Sequence, residues 1–152
     1  MTALPGARIT PPGRGRLHRI GPDRFRTKGP VVGDGDGFAV IEYEGRPGIP
    51  GPPAHVHRAF EEAWFLLEGR VEFRAGSRRS VVGKGAYVLV PRGVSHTFRV
   101  LGTTPARWVG VFSPGRYVRL VEELGRILPR NGPPDPRRIA ELFARYDTEM
   151  VP

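Results

Sequence analysis

The chain contains no cysteine. That excludes disulfides, thiolate metal sites and thiol nucleophiles, and it leaves the redox compartment open. It also contains no run of eighteen apolar residues, so no membrane-spanning helix is expected. The opening stretch, Met1 to Arg16, lacks the apolar segment of a secretory signal and is rich in Pro, Gly and Arg, so a cytoplasmic location is expected. Lysine is almost missing: of 24 basic residues only Lys28 and Lys84 are lysine, against 15 acidic ones, for a net charge of +9. Such a charge would suit nucleic acid or an anionic surface. The arginines, however, run through the whole chain, Arg70, Arg74, Arg78, Arg79 and Arg92 included. Arg, Gly, Pro and Ala also share GC-rich codons. No specific nucleic-acid partner is therefore expected.

What the chain has in quantity is turn residues, 21 Gly and 17 Pro. They punctuate short segments, the texture of an all-β sandwich or barrel. Residues 1–28 read as an irregular basic arm, broken by Pro5, Pro11, Pro12 and Pro22, which could lay a strand on the barrel. Strands are expected over 38–44, 62–68, 70–74, 80–82, 86–90, 96–101 and 107–112, with Arg70–Arg74 alternating strictly. After Phe112 the period changes to 3.6. Ser113 with Pro114 predicts a helix start, and Leu120, Val121, Leu124, Ile127 and Leu128 form its apolar stripe. Asn131-Gly-Pro-Pro should end that helix. Asp135-Pro136 should start a second, with Ile139, Leu142, Phe143 and Tyr146 on its apolar face. No internal repeat is present, and 152 residues make one ordinary domain. The reading is thus an arm (1–28), a barrel (29–113) and a two-helix tail (114–150) packed on the barrel's outer surface.

Three of the four histidines sit in two linked patterns. One is His55-Val-His57, four residues, Glu62, six residues, Gly69. The other is Gly85, five residues, Pro91-Arg-Gly93, two residues, His96. On a strand, residues i and i+2 share a face about 6.6 Å apart, so both imidazoles can converge on one ion. Glu62 opens the next strand and can reach the same ion if that strand pairs beside the first. Gly69 ends the strand in a tight turn, which fixes the register. Pro91 and Gly93 turn the chain so that His96 enters from a third strand. Glu61 competes with Glu62, but alternation points only one of them inward, and the interval to Gly69 favours Glu62. At four histidines in 152 residues, three specified ones coincide with a probability on the order of 10⁻⁵ per placement. Three imidazoles and a carboxylate suit one divalent borderline metal: iron first, with nickel, manganese, copper or zinc as alternatives.

These residues resemble the two conserved motifs of the cupin superfamily. The stretch from His55 to Gly69 and the helical tail look most like small single-domain cupins labelled quercetin-dioxygenase-like. The resemblance implies a mainly β fold, a single antiparallel jelly-roll barrel with a short C-terminal helical tail. It implies a metal held by His55, His57, Glu62 and His96. Two places depart from the pattern: Val100 stands where the second motif has Asn, and Gly48 is displaced by one from the first motif's opening Gly.

Alternation extends the site. If Glu62 faces inward, so do Trp64 and Leu66; if His96 does, so do Phe98 and Val100. These four are the candidate substrate walls, apolar and aromatic, suited to a flat small molecule. The leading expectation is a metal-dependent, dioxygenase-like enzyme acting on an aromatic, enolic or diketone compound, with Glu62 able to shuttle a proton. The alternatives are a metal-assisted isomerase or cyclase of polyketide type, which needs no O₂, and a non-catalytic small-molecule binder. Phe65 and Leu67 fall on the opposite face of the strand and need a cover, which predicts a homodimer.

Overall fold

The computed structural model describes residues 6–29, 36–129 and 133–152. Among these residues eleven strands form two antiparallel sheets. The larger sheet contains β1 (Arg16–Ile20), β2 (Asp23–Thr27), β3 (Ala39–Gly45), β5 (Glu61–Glu68), β8 (Tyr87–Val90) and β10 (Ala106–Ser113), in the order β1-β2-β3-β10-β5-β8. The smaller contains β4 (His55–His57), β6 (Arg70–Ala75), β7 (Arg78–Gly83), β9 (His96–Leu101) and β11 (Thr148–Met150), in the order β11-β4-β9-β6-β7. This is a jelly roll, and among the described residues its two sheets remain separate ladders, so the barrel is open between them.

The core lies between the sheets. In β5, Trp64 and Leu66 are buried while Phe65 is exposed. In β10, Ala106, Trp108, Gly110 and Phe112 are buried and alternate with more exposed neighbours. Trp108 is sandwiched: its ring stacks on Tyr43 at 4.4 Å and on Trp64 at 4.6 Å between centroids. Between β5 and β6 the chain passes from the larger sheet to the smaller through a single residue, Gly69, with φ +78°, a conformation that favours glycine over any residue with a Cβ.

Three expectations need correction. Residues 16–27 are not an irregular arm but a hairpin, β1 and β2 turning at Gly21-Pro22 and pairing onto β3. Period two is present there but hidden by charge. Phe25 and Thr27 point inward and are buried, while Arg24 and Arg26 point outward on either side. Arg24 lies opposite Glu44 in the register and reaches its carboxylate at 2.8 Å.

The second correction concerns the tail. Ser113-Pro114 is followed by a 3₁₀ turn, Gly115–Tyr117, before α1 (Val118–Ile127) begins. The start of α2 (Pro136–Arg145) matches its sequence signal: Asp135 accepts a hydrogen bond from the Arg137 N–H at 2.9 Å, with Pro136 in the first turn. The Asn131-Gly132 stop of the first helix lies outside the described residues. The chain then ends not in helix but in β11, which pairs with β4.

The third correction is where the helices pack. Leu120, Val121, Leu124 and Leu128 of the first helical segment, with Ile139 and Phe143 of α2, line the interior cavity and not merely the barrel's outside. They cover apolar surface that the open jelly roll leaves exposed. Polar contacts fasten this cover to the hairpin. Thr27 donates to Glu122 at 2.9 Å, and His18, stacked on Phe25 at 4.7 Å, brings Nε2 within 3.3 Å of the same carboxylate. Among the described residues no helix is long and apolar enough to cross a membrane.

Candidate metal centre

His55 and His57 are the two ends of the short strand β4, and His55 lies directly opposite His96 of β9. The three rings cluster, with centroids 4.3 Å apart for His55–His96, 4.8 Å for His55–His57 and 5.0 Å for His57–His96. Glu62 completes the group from the other side. Its strand does not pair beside β4, as the spacing suggested; β5 belongs to the larger sheet, between β10 and β8. The carboxylate therefore crosses the interior, and its Oε2 stands 3.3 Å from Nε2 of both His57 and His96. One donor atom from each of the four residues lies within 4.8 Å of the other three. Glu61 points out and faces Arg92 at 3.9 Å, so it is no part of the group.

The outer contacts of the imidazoles decide which nitrogen faces inward. His55 Nδ1 lies 2.8 Å from the Pro53 carbonyl and His96 Nδ1 lies 3.1 Å from the Val94 carbonyl. A carbonyl only accepts, so both Nδ1 atoms carry the proton and donate. His57 Nδ1 lies 2.9 Å from the Thr148 hydroxyl, whose own proton goes to the Tyr146 carbonyl at 3.0 Å. Thr148 therefore accepts, and His57 also donates from Nδ1. All three neutral rings then present a bare Nε2 lone pair to the interior beside a carboxylate oxygen. Four such atoms repel one another unless a cation stands among them, a proton or a metal ion. Outer acceptors of this kind orient metal-ligating histidines and raise their basicity.

The electrostatics agree. Burial, with the neighbouring His96 and His57, pulls the His55 imidazole down to about 4, keeping it neutral and ready to ligate. Burial alone would push the Glu62 carboxyl up; a proton held between it and Nε2 of His57 or His96, with the charge this places on the ring, outweighs burial and holds the group well below the usual carboxylate range. The donor set thus fits a borderline divalent ion, and one in a six-coordinate shell would keep two positions free of protein.

Thr148 carried no signal in the sequence, because its partner lies 91 residues away. Phe60, fully buried and stacked on His57 at 4.0 Å, was likewise not singled out. Thr148→Val keeps the shape but removes the acceptor. We expect it to weaken metal binding roughly 10–100-fold, measured by competition with a chelating dye. Unchanged affinity would show that Thr148 does not orient the ligand.

The group opens into a cavity of 510 Å³ between the sheets, within the usual size of a small-molecule site. Of the four proposed wall residues, Trp64 and Phe98 line it. Leu66 is fully buried in the core and does not reach this cavity, and Val100 borders a separate outer groove of 670 Å³. Strand twist carries both away from the site even though they share its face. Walls that the sequence did not single out include Ile41, Tyr43, Trp108 and Phe112, and the turn at Gly21–Asp23.

A family profile described as "Cupin domain" matches residues 42–112. Residues 42–112 are a cupin domain. The match spans His55, His57, Glu62 and His96, while the hairpin, the helices and β11 lie outside it. No curated protein matches the sequence. Solved structures are similar in fold to this chain. A predicted oxalate decarboxylase from Thermotoga maritima superposes with TM-score 0.63 at 15% identity, covering 70% of this chain and 98% of that one. KdgF from a Halomonas species gives 0.61 at 14% identity, covering 71% and 94%. An RmlC-like cupin from Shewanella frigidimarina gives 0.60 at 20% identity, covering 72% and 94%. Identities this low carry the architecture and no activity.

Proposed function

We propose that this cupin is a metal-dependent, dioxygenase-like enzyme for a small, flat, largely apolar compound that chelates through oxygen, such as an enolic or diketone compound. One observation carries the reading: a three-histidine, one-glutamate donor set opens directly into a 510 Å³ cavity walled by aromatic rings. A divalent ion held by His55, His57, Glu62 and His96, iron by preference, would supply Lewis-acid and redox chemistry there. The chain's own residues do the rest. Trp64, Phe98 and Trp108 offer ring faces and edges to a planar ligand, and the apolar helix residues exclude water. Glu62 is the group placed to take and return a proton.

The test is to load metal-free protein separately with iron, nickel, copper, manganese and zinc. Each form is offered flavonol-like and diketone compounds while O₂ uptake is followed. Uptake that matches product in a redox-active form supports the oxygenase. Equal product under nitrogen makes the protein an isomerase or cyclase using the same ligands, and tight binding without product in every form makes it a binder.

The assembly we propose is a homodimer. Phe65 and Tyr87 pair across β5 and β8, Leu89 lies beside them, and these three are 47%, 65% and 50% exposed on the outer face of an edge strand pair. A second copy is the cover that such a patch calls for. Light scattering at micromolar concentration should give the dimer mass, and Tyr87→Glu with Leu89→Glu should give the monomer. A wild-type monomer refutes the proposal.

A further inference from the structure

The cavity has a second polar feature, away from the histidines. Asp23, at the start of β2, lines it, and so does Tyr43 of β3. The Tyr43 hydroxyl donates to Asp23 Oδ2 at 2.9 Å, and the Arg46 backbone N–H donates to Oδ1 at 2.8 Å. Tyr43 is buried, its ring held between Trp108 at 4.4 Å and Phe25 at 6.2 Å, so the hydroxyl has a fixed position. Asp23 follows the Gly21-Pro22 turn, where Pro22 is exposed.

A purely structural role explains only part of this. Asn at position 23 could accept from the Arg46 N–H through its one carbonyl oxygen and donate its amide to the Tyr43 oxygen, without burying a charge. A carboxylate there costs desolvation, and burial does push the Asp23 carboxyl up despite its two hydrogen bonds. Each of its oxygens is used once and retains a lone pair, and the Tyr43 oxygen, having given its proton to Asp23, can only accept. The pair is thus an acceptor site in a wall otherwise formed by Ile20, Ile41, Trp108 and the helix leucines.

We infer that Asp23 and Tyr43 form a specificity site that accepts a hydrogen bond from a hydroxyl or amino group on the bound compound, at a part of it that does not bind the metal. The inference takes the metal reading as given for the other end of the ligand. It narrows the substrate class to compounds with a donor group distinct from their chelating oxygens. A site built to hydrogen-bond such a group rejects analogues without it, because its own polar atoms are left unpaired.

The pair can be tested apart from the metal. Phenol carries a donor and anisole, of similar shape, does not. Binding of each to the metal-free full chain is followed by ligand-observed NMR. Wild type should prefer phenol by roughly tenfold, the worth of one hydrogen bond to a charged acceptor. Tyr43→Phe and Asp23→Asn, each checked for an unchanged circular dichroism spectrum, should bring the two affinities within about twofold while leaving anisole binding unaltered. Equal affinities in wild type, or a preference that survives in both variants, overturns the inference. A separate arm titrates 3-hydroxyflavone into the cobalt-loaded protein by calorimetry. Failure there with the phenol preference intact removes the chelation reading and leaves the acceptor pair standing.

Discussion

Replacing His57 by Ala is expected to strip the metal from the protein. The side chain does three things at once. Its Nε2 faces the centre of the group, its Nδ1–H is spent on Thr148, and its ring stacks on Phe60. Alanine removes the ligand, leaves Thr148 without its donor, and opens a gap beside a fully buried aromatic ring. If binding worth roughly 10–16 kcal/mol is spread over four ligands, each carries about 3 kcal/mol. One loss then weakens affinity on the order of 10²-fold or more. Elemental analysis after dialysis against a micromolar chelator should show wild type loaded and His57→Ala close to empty, with the circular dichroism spectrum unchanged. Full occupancy in the variant would end the assignment. Glu62→Gln is the milder companion. Its amide oxygen still donates a lone pair but carries no charge, so partial metal binding should persist while turnover, which needs the carboxylate, is mostly lost.

That these four residues come together was legible because it depends on short-range geometry. His55 and His57 share a face by strand alternation, and the intervals to Glu62 and His96 survive any detail of packing. What spacing could not say is that β5 joins the opposite sheet, so that Glu62 reaches across the interior instead of along it. Strand partners are chosen by long-range burial, which leaves no mark at the positions themselves. The same holds for Thr148 and for Asp23 with Tyr43, whose partners lie 91 and 20 residues away. The hairpin at 16–27 was obscured for another reason. Its outward positions are arginines, and its inward ones include Thr27 and His18, so the apolar alternation that marks a strand is reduced to Ile20 and Phe25. The helices were legible as helices from their 3.6 period. Their destination was not, since an apolar stripe fits an outer sheet face and a cavity roof equally well.

A second large effect is expected at Gly51, a residue with no side chain of its own. This residue lies in the loop before β4 and packs on the backbone of β9. A Cβ there would overlap the Phe98 carbonyl oxygen and lie 2.8 Å from its carbonyl carbon. Backbone atoms of a paired strand cannot swing aside as a side chain can, so Gly51→Ala must lift the loop. Two contacts leave with it. The Thr97 hydroxyl donates to the Pro52 carbonyl at 2.6 Å, and the Pro53 carbonyl holds His55 Nδ1. One methyl group should therefore cost both stability and metal affinity. Overpacking against an unyielding neighbour, with two hydrogen bonds lost, is worth about 3 kcal/mol. At roughly 2–4 °C per kcal/mol for a chain of this size, the melting temperature should fall by about 10 °C. Gly37→Ala is the control, because a Cβ there meets nothing within 4 Å, and its melting temperature should stay within about 2 °C of wild type. Equal melting temperatures for the two variants would mean that the loop is not seated on β9 as described. A Gly51→Ala protein that melts early yet binds metal like wild type would separate the loop's packing from its hold on His55.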